Sequence, residues 1–324
     1  MAMLEIKGLK THFKTDDGWL HAVDGVDMSL DAGEALCVVG ESGCGKSVTA
    51  KTVMKLIDMP PGKIVAGQVL WQGRDLVPLS PLEMQAIRAK EIAIIFQEPM
   101  TSLNPVFTVG EQIAESLRLH EGLSRKDAMD RAVEMLRLVR IPTPERRVKD
   151  YPHQFSGGMR QRVMIAIALA CKPKLLIADE PTTALDVTIQ AQILDLMSEL
   201  KSTMGMAVML ITHAMGVVAE VAQRVVVMYA GKVVEEATVE ELFANPRHPY
   251  TQGLIRSIPR IDLAATHKTR LEAIPGTVPK LIDPGEGCRF ASRCRHASPS
   301  CSAATPVLKE ISAGHKVACF LEAA

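Results

Sequence analysis

A glycine-rich loop near the N-terminus reads Gly40-Glu41-Ser42-Gly43-Cys44-Gly45-Lys46-Ser47. It fits the pattern G-x-x-x-x-G-K-[ST], follows the apolar run Ala35 to Val39 and precedes a predicted helix from Val48 to Ile57. Glycines allow backbone N–H groups to converge on a phosphate, and the N-terminus of a helix adds partial positive charge there. Lys46 can reach the β- and γ-phosphates of a nucleotide, and the Ser47 hydroxyl can bind Mg²⁺. The strand–loop–helix context therefore favours a nucleotide site over an unliganded glycine turn.

One residue of this loop, Cys44, has two interpretations. The favoured one is a small side chain at a position where the pattern accepts any residue. The other is a reactive thiol whose pKa is lowered by the helix N-terminus and by Lys46. The sequence alone leaves both interpretations open.

Short apolar runs alternate with helical patterns along most of the chain before Asn245. The runs are Ala35 to Val39, Leu175 to Ala178, Met206 to Ile211 and Val225 to Met228. Continuous apolar runs of this kind are typical of strands that are buried on both faces of a largely parallel sheet. From Val109 to Leu138 the apolar residues fall mainly at helical spacing, which predicts a helical insertion. The pattern indicates an α/β fold.

Composition and charge exclude several classes of protein. The chain has 324 residues with 37 basic and 37 acidic side chains, so it lacks the electrostatic footprint of a nucleic-acid-binding protein. Its longest apolar run, Val163 to Cys171, is far shorter than the roughly 18–20 residues that cross a bilayer. No apolar segment follows the N-terminus, so no signal peptide is expected. A reducing compartment is expected as a result, in which the seven cysteines are poor candidates for disulfides.

A second predicted strand ends in two adjacent acids, Asp179 and Glu180. In a parallel sheet, the end of this strand is expected near the phosphate loop. Asp179 suits the ligand shell of Mg²⁺, and Glu180 suits the polarisation of an attacking water. On its own the pair is explained equally well as an acidic loop, but Lys46 upstream favours the functional interpretation.

Four further features separate this chain from other phosphate-loop proteins such as kinases and GTPases. They are Gln97 after an apolar run, Ser156-Gly157-Gly158 at a predicted helix start, Asp186 after the acidic pair, and His213 at the end of another apolar run. Each is weak alone, since a single histidine after a strand is more often structural. Together and in this order they are highly specific.

With these motifs the chain resembles the ATP-binding subunits of ABC transporters, over about residues 3 to 245. More narrowly, it is similar to the dipeptide/oligopeptide import subfamily. The closer likeness is carried by the four-cysteine tail and by Gln97-Glu98-Pro99-Met100-Thr101-Ser102-Leu103-Asn104-Pro105, Tyr151-Pro152-His153-Gln154-Phe155-Ser156-Gly157-Gly158-Met159 and Arg247-His248-Pro249-Tyr250-Thr251. The resemblance implies a P-loop NTPase core of ABC type with a helical subdomain and a small cysteine-rich C-terminal extension.

The resemblance also implies a role for each matching residue, with ATP and Mg²⁺ as cofactors. The nucleotide-binding residues would be Phe13, stacking on adenine, and the Walker A loop Gly40, Glu41, Ser42, Gly43, Cys44, Gly45, Lys46 and Ser47, followed by Val48. The Mg²⁺ ligands would be Ser47, Gln97 and Asp179. The catalytic residues would be Glu180 as general base, His213 as the switch histidine and Gln97 as the sensor of the γ-phosphate. The signature residues Ser156, Gly157 and Gly158 would close on the ATP of a second subunit, and Asp186 would lie in the loop that crosses the dimer interface.

Two departures from the family pattern are visible. The signature reads Phe-Ser-Gly-Gly-Met instead of the commoner Leu-Ser-Gly-Gly-Gln, with its Ser-Gly-Gly core intact. Ala214 follows the switch histidine, where the family usually has aspartate. The second departure predicts a looser hold on His213 and bears on the rate of the reaction, not on its nature.

The resemblance further implies partners, location and function. The expected partners are a second homologous ATPase subunit in a heterodimer, two integral-membrane permease subunits and an external solute-binding protein, with no nucleic acid. The expected location is the cytoplasmic face of the inner (plasma) membrane, as a peripheral protein. The expected function is ATP hydrolysis that energises import of dipeptides or oligopeptides. Alternatives are a related nickel or glutathione importer, a non-transport ABC ATPase and, least favoured, a phosphate-loop kinase.

The predicted domains divide near Asn245-Pro246, where proline becomes frequent. Residues 1–245 form the nucleotide-binding domain with a helical subdomain at about 98–165, and residues 246–324 form the extension. Cys37 and Cys171 lie in apolar runs and are expected in the core.

Four cysteines of the extension, Cys288, Cys294, Cys301 and Cys319, have the spacing C-x5-C-x6-C-x17-C. Four thiolates in a reducing compartment suit a metal site better than disulfides. Zinc sites favour tighter pairs, and four cysteines also hold [4Fe–4S] clusters. The resemblance to the subfamily, which carries a cluster at this position, favours iron–sulfur. Zinc and free or paired thiols are the alternatives.

Overall fold

The computed structural model describes residues 2–97, 102–183, 185–258 and 273–322. The chain forms two compact units, one made of residues 1–30, 35–78 and 211–324 and the other of residues 31–34 and 79–210. The first unit contains the phosphate loop and the four C-terminal cysteines. The second contains the acidic pair and the Ser-Gly-Gly motif.

The structure combines strands and helices throughout the described residues. The strands are β1 (Leu4–Thr15), β2 (Gly18–Leu30), β3 (Ala35–Val39), β4 (Gly62–Trp71), β5 (Arg74–Asp75), β6 (Ile92–Ile95), β7 (Leu175–Asp179), β8 (Ala207–Thr212), β9 (Arg224–Tyr229), β10 (Lys232–Thr238), β11 (Lys309–Ser312) and β12 (His315–Val317). The α-helices are α1 (Lys46–Val53), α2 (Pro81–Ile87), α3 (Val109–Glu121), α4 (Arg125–Leu138), α5 (Pro144–Arg147), α6 (Gly157–Leu169), α7 (Val187–Met204), α8 (Met215–Val221), α9 (Val239–Ala244), α10 (Pro249–Arg256) and α11 (Pro299–Ala303). Short 3₁₀ helices span Pro152–Gln154, Ala291–Arg293 and Phe320–Glu322. Among the helices that the structure describes, none has the length and hydropathy that a membrane span requires.

An antiparallel sheet in the order β2-β1-β4-β5 belongs to the first unit. Leu4 of β1 lies opposite Leu30 of β2 on one side and opposite Trp71 of β4 on the other. Leu4 and Ile6 are buried while Lys7 is exposed, because successive side chains of a strand point to opposite faces. No continuous apolar run marks this sheet in the sequence, since its strands alternate polar and apolar residues.

The other strands of the first unit follow the order β11-β12-β10-β9-β3. Strand β3 is parallel to β9, with Cys37 opposite Val225, and β9 is antiparallel to β10. Every residue of β3 is buried, which confirms the strand predicted from its apolar run. The phosphate loop follows β3 directly, and α1 follows the loop.

In the second unit, β6 is parallel to β7, with Ile92 opposite Leu175. The predicted helical insertion is confirmed as two helices, α3 and α4. Helix α3 ends at Gly122, which has a left-handed φ of 67°. Thr108 and Ser124 cap the two N-termini, each accepting a backbone N–H with its hydroxyl. Apolar residues at helical spacing, such as Ile113 and Leu117, are fully buried.

Helix α1 differs from its predicted span of Val48 to Ile57. It begins two residues earlier, at Lys46, and ends at Val53. Lys55 has a left-handed φ of 48° and is incompatible with continued helix. The apolar pattern continued beyond this break, so the pattern alone did not place the end of the helix.

Candidate nucleotide site

The phosphate loop packs against the backbone of neighbouring strands. Gly40 has a φ of 150°, and a Cβ atom there would lie 2.1 Å from the carbonyl oxygen of Met228. Gly45 has a φ of 95°, and a Cβ atom there would lie 2.3 Å from the carbonyl oxygen of Ala22. Any other residue at either position would clash with backbone that cannot move independently. The two glycines therefore fix the path of the loop into α1.

Lys46 is held inside the loop by backbone oxygens. Its Nζ donates to the carbonyl oxygen of Gly40 at 2.7 Å and to that of Glu41 at 3.0 Å. The side chain is buried, whereas Ser42 and Gly43 at the tip of the loop are exposed. The first turn of α1 contains no acidic residue that would oppose an anion. A positive ammonium group, a helix N-terminus and an exposed glycine loop are the elements of a phosphate site.

The remaining residues of the loop and the helix start differ in their burial. Cys44 is fully buried, and burial raises the pKa of its thiol. The interpretation of Cys44 as a reactive thiol is therefore wrong, because a reactive cysteine needs exposure and a lowered pKa. Ser47 and Val48 are half-buried at the start of the helix.

In the second unit, the acidic pair lies at the end of β7. Asp179 and Glu180 are both buried. The Oε2 atom of Glu180 accepts a hydrogen bond from Nε2 of Gln97 at 2.8 Å and another from the hydroxyl of Thr183 at 3.0 Å. The structure thus brings Gln97 and Glu180 into direct contact, although 83 residues separate them in sequence.

Glu180 also has an unusual backbone conformation, with a φ of 45°. A residue other than glycine in the left-handed region costs of order 1–3 kcal/mol, and such residues cluster at functional sites. This turn, together with two hydrogen bonds, fixes the direction of a carboxylate that could take a proton from a water.

The Ser-Gly-Gly motif opens α6. Ser156 is the N-cap, and its hydroxyl accepts a hydrogen bond from the backbone N–H of Met159 at 3.4 Å. Ser156 and Gly157 are exposed, and the first turn contains no acidic residue. Asp186 is the N-cap of α7, where its Oδ1 accepts from the N–H of Ile189 at 3.0 Å. Its carboxylate therefore has a structural role in addition to the one that the resemblance implies.

Two further predicted residues lie in the first unit. Phe13 is half-buried on β1, opposite Gly62 of β4. His213 is exposed directly after β8, and the N–H of Ala214 donates to the Thr212 hydroxyl at 3.1 Å. Residues 98–101 and 184, which belong to the predicted motifs, lie outside the described residues.

Two residues of the extension that contact the loop had no predicted role. The hydroxyl of Tyr250 accepts a hydrogen bond from the backbone N–H of Glu41 at 2.7 Å. Arg293 donates to both carboxylate oxygens of Glu41, at 2.6 Å and 3.0 Å. Sequence offered only a weak signal for them, namely an arginine immediately before Cys294 and a tyrosine in a segment that supported the resemblance.

Another group of ionisable side chains joins the extension to β2. His12, His21 and Asp24 place potential ligand atoms within 4.8 Å of one another. Asp24 already pairs with Arg289 at 2.5 Å and with Lys10 at 3.2 Å. Burial raises the pKa of Asp24, but nearby cations, Lys232 first among them, lower it to about 2. The surplus of positive charge makes this an ion-pair network and disfavours a metal cation.

The four cysteines of the extension line a single pocket with Phe290 and Phe320. All four are free thiols and half-buried. Burial raises the pKa of the Cys288 thiol, whereas backbone N–H groups of Phe290 and Ala291 point at its sulfur and act in the opposite direction. The extension thus gathers four sulfur atoms that sequence alone could not place together.

Comparison with known proteins identifies the family. A model described as ABC transporter matches residues 23–183, and one described as oligopeptide/dipeptide transporter, C-terminal region, matches residues 234–301. The chain is 55% identical to a probable peptide ABC transporter ATP-binding protein of Sinorhizobium fredii, over 98% of this chain and 94% of that protein. It is also 55% identical to the oligopeptide transport ATP-binding protein OppD of Bacillus subtilis, over 98% of this chain and 88% of that protein.

Solved structures agree with this assignment. A dimeric ATP-binding cassette, MJ0796, in a post-hydrolysis state with ADP and phosphate matches with a TM-score of 0.66 and 29% identity, over 73% of this chain and 99% of that chain. The predicted ABC-type phosphate-loop fold is confirmed by this match. The chain belongs to the ATP-binding subunits of ABC transporters, in the group that carries the oligopeptide/dipeptide transporter C-terminal region.

Proposed function

We propose that the protein hydrolyses ATP to energise the import of dipeptides or oligopeptides through a membrane ABC transporter. The observation that carries the proposal is the buried Glu180 carboxylate, held by Gln97 and Thr183 at the end of a strand. The names of its relatives, which are peptide, oligopeptide and dipeptide transport ATP-binding proteins, support the choice of peptides.

The residues of the phosphate loop would bind ATP before its hydrolysis. The loop from Gly40 to Ser47 binds the phosphates with its N–H groups, and Lys46 moves from the loop carbonyls to the β- and γ-phosphates. Phe13 stacks on adenine. Ser47, Gln97 and Asp179 would hold Mg²⁺, which when bound would neutralise charge on the phosphates.

The general base and the sensor complete the reaction. Glu180 orients the attacking water and takes its proton, as a carboxylate fixed by hydrogen bonds can do. His213 donates to the γ-phosphate. Gln97, whose Nε2 donates to Glu180, would also be a ligand of Mg²⁺ when the metal is bound.

A second ATPase subunit is needed to close the site. Ser156, Gly157, Gly158 and Asp186 face the nucleotide of the partner in this proposal, and the exposure of Ser156 and Gly157 supports it. We propose that the partner is a homologous but different chain, so that the assembly is a heterodimer. ATP joins the two subunits, and loss of the γ-phosphate lets them part.

The other proposed partners are two permease subunits in the membrane and an external solute-binding protein, with no nucleic acid. The nucleotide-binding domain spans residues 1–245, and its helical subdomain at about 98–165 receives the permeases. Docking there would hold the protein at the cytoplasmic face of the inner membrane. Residues 246–324 form the extension.

We propose that Cys288, Cys294, Cys301 and Cys319 hold a [4Fe–4S] cluster. Their position around one pocket supports the proposal. The alternatives are a single zinc ion, which four thiolates also hold, and free thiols.

Chemical analysis of anaerobically purified protein tests the cluster. We expect a brown colour and about four iron and four acid-labile sulfide per chain. Colourless protein with one tightly bound zinc would reject it in favour of the alternative. Replacing Cys294 with serine should remove the visible absorbance, whereas the core Cys171→Ser variant should retain it.

Transport assays test the function. The chain is co-expressed with candidate permeases and a partner ATPase, reconstituted in proteoliposomes and supplied with the solute-binding protein. ATP-dependent accumulation of a labelled dipeptide or pentapeptide is expected. Accumulation of nickel or glutathione instead would identify the related importers, and ATPase activity without any permease partner would favour a non-transport ATPase.

A further inference from the structure

Arg293 is a buried arginine that joins the cysteine-rich extension to the phosphate loop. It lies on the 3₁₀ helix Ala291–Arg293, immediately before Cys294, and only 3% of its side chain is exposed. Its guanidinium makes two parallel hydrogen bonds to the carboxylate of Glu41, at 2.6 Å and 3.0 Å. This bidentate geometry is among the strongest that a charged pair can adopt.

The rest of the guanidinium is also satisfied. Nε donates to the carbonyl oxygen of Pro275 at 2.7 Å, and one terminal nitrogen donates to the hydroxyl of Tyr229 at 3.2 Å. The group also lies 5.7 Å from the ring centre of Tyr229 and 5.9 Å from that of Phe290. Arg293 is the buried member of this pair, and a buried charge repays its desolvation only when its remaining donors have partners, as they do here.

Glu41 is consequently fixed at three different groups, namely its carboxylate, its backbone N–H and its carbonyl oxygen. Arg293 holds its carboxylate, Tyr250 accepts from its N–H, and its carbonyl oxygen accepts from Lys46. Two of these three contacts come from the extension. The position of the loop at Glu41 is therefore set by residues that lie more than 200 positions later in the chain.

We propose that Arg293 is a positioning residue of the nucleotide site, which acts through Glu41 to keep the phosphate loop open for MgATP. The inference rests on the proposed function, since it concerns the same nucleotide site. Without Arg293, the half-buried Glu41 carboxylate loses its partner and turns towards water, and the loop carbonyls that hold Lys46 move with it. MgATP must then order the phosphate loop as it binds, and the free energy that this costs weakens its affinity.

Nucleotide affinity of the full chain tests the proposal. The dissociation constant of a fluorescent ATP analogue with Mg²⁺ is measured for wild type, Arg293→Gln, Glu41→Gln and the double variant. Each single variant should bind about tenfold more weakly, which corresponds to about 1.4 kcal/mol. The double variant should be no weaker than either single variant, because both remove one interaction. In the assembled transporter, KM for ATP should rise while kcat at saturating ATP stays within about twofold of wild type.

Matched variants separate this role from a general effect on folding. Arg295→Gln removes an exposed arginine two residues away and should keep the wild-type affinity. Arg293→Lys keeps the charge but loses the bidentate geometry, so its affinity should lie between those of wild type and Arg293→Gln. If Arg293→Gln does not fold, as judged by thermal unfolding, the Lys variant and Glu41→Gln decide the matter.

Two results would overturn the inference. One is a folded Arg293→Gln protein with wild-type affinity, and the other is additive weakening in the double variant. Failure of wild type to bind MgATP at all would instead reject the proposed function, so the two failures are distinguishable.

Discussion

Two helices of this protein begin with glycine-rich segments, and they are built in opposite ways. The N-terminus of α1 is buried, has Gly45 in a left-handed conformation as its N-cap and receives no side-chain cap. The N-terminus of α6 is exposed and is capped by the hydroxyl of Ser156. Both offer N–H groups to an anion, but only the first has a lysine beside it.

The difference matches the two roles in the proposed dimeric site, in which each chain supplies a phosphate loop to its own nucleotide and a helix start to that of its partner. Backbone contacts of Gly40 and Gly45 and the side chains of Tyr250 and Arg293 surround the phosphate loop, so its shape is set within the chain. The start of α6 is capped by Ser156, but its first residues are exposed on the surface of the chain. Small changes in the phosphate loop should therefore alter nucleotide binding by the isolated chain. Small changes at the start of α6 should alter it only in the dimer.

The largest effect on turnover is expected from a substitution outside both helix starts. Glu180→Gln keeps the size of the side chain but removes the base, so turnover of the assembled transporter should fall by about 10²–10⁴-fold. MgATP should still bind, and the dimer should remain closed because the γ-phosphate persists. ATPase assays and size-exclusion chromatography measure the two effects.

Two variants check this assignment. Lys46→Ala should lose nucleotide binding first, which separates binding from chemistry. Turnover of Glu180→Gln at the wild-type rate would show that another group is the base.

A matched pair of glycine substitutions tests the comparison directly. In Gly45→Ala the new methyl group would lie 2.3 Å from a backbone oxygen at a φ of 95°, so MgATP affinity should fall by more than about tenfold. In Gly157→Ala the nearest atom is a methyl group of Leu185 at 3.7 Å, and alanine favours a helix by about 0.5–1 kcal/mol. The isolated Gly157→Ala chain should therefore bind MgATP as wild type does. Equal losses in both variants would contradict the distinction.

An acid titration examines the charged network beside the loop. Because the cations around Asp24 lower its pKa from 3.8 to about 2, the ionised form stabilises the folded state. This contribution is complete above about pH 4 and is lost as the pH falls towards 2, by about 1–2 kcal/mol. Denaturant unfolding at a series of pH values should show the loss in wild type and a flatter curve in Asp24→Asn. Asp17→Asn, in an exposed turn, is the control and should follow the wild-type curve.

The smallest expected effect concerns the cap of α6. Ser156→Ala removes one side-chain acceptor from the helix N-terminus and should cost about 1 kcal/mol of unfolding free energy. Ser124→Ala, which removes the equivalent cap of α4, is the reference for a purely structural loss. MgATP binding by the isolated Ser156→Ala chain should be unchanged, and weaker binding would place this serine in its own chain's site.

Much of the second unit and of the phosphate loop was predictable because local signals are strong there. Apolar runs gave β3 and β7, and helical spacing gave α3 and α4. The glycine pattern gave the loop, since its function requires backbone conformations that few other residues adopt.

Other features depend on contacts between distant residues, which no local pattern encodes. The antiparallel sheet of β1, β2, β4 and β5 escaped prediction because its alternating strands lack continuous apolar runs. The pairing of Arg293 with Glu41 joins residues 252 positions apart. The contact of Gln97 with Glu180 likewise required the parallel pairing of β6 and β7.

The last strands of the extension have a practical consequence for protein engineering. Strand β12 pairs with β10, and buried His315 lies 2.8 Å from the buried carboxylate of Glu235, which also accepts the backbone N–H groups of Arg247 and His248. A truncation before β12 would expose unpaired backbone groups along β10. It would also leave the buried carboxylate of Glu235 without His315, and both changes favour aggregation. Affinity tags and fluorescent fusions should therefore be attached beyond Glu322, which keeps β12, Cys319 and the last 3₁₀ helix intact.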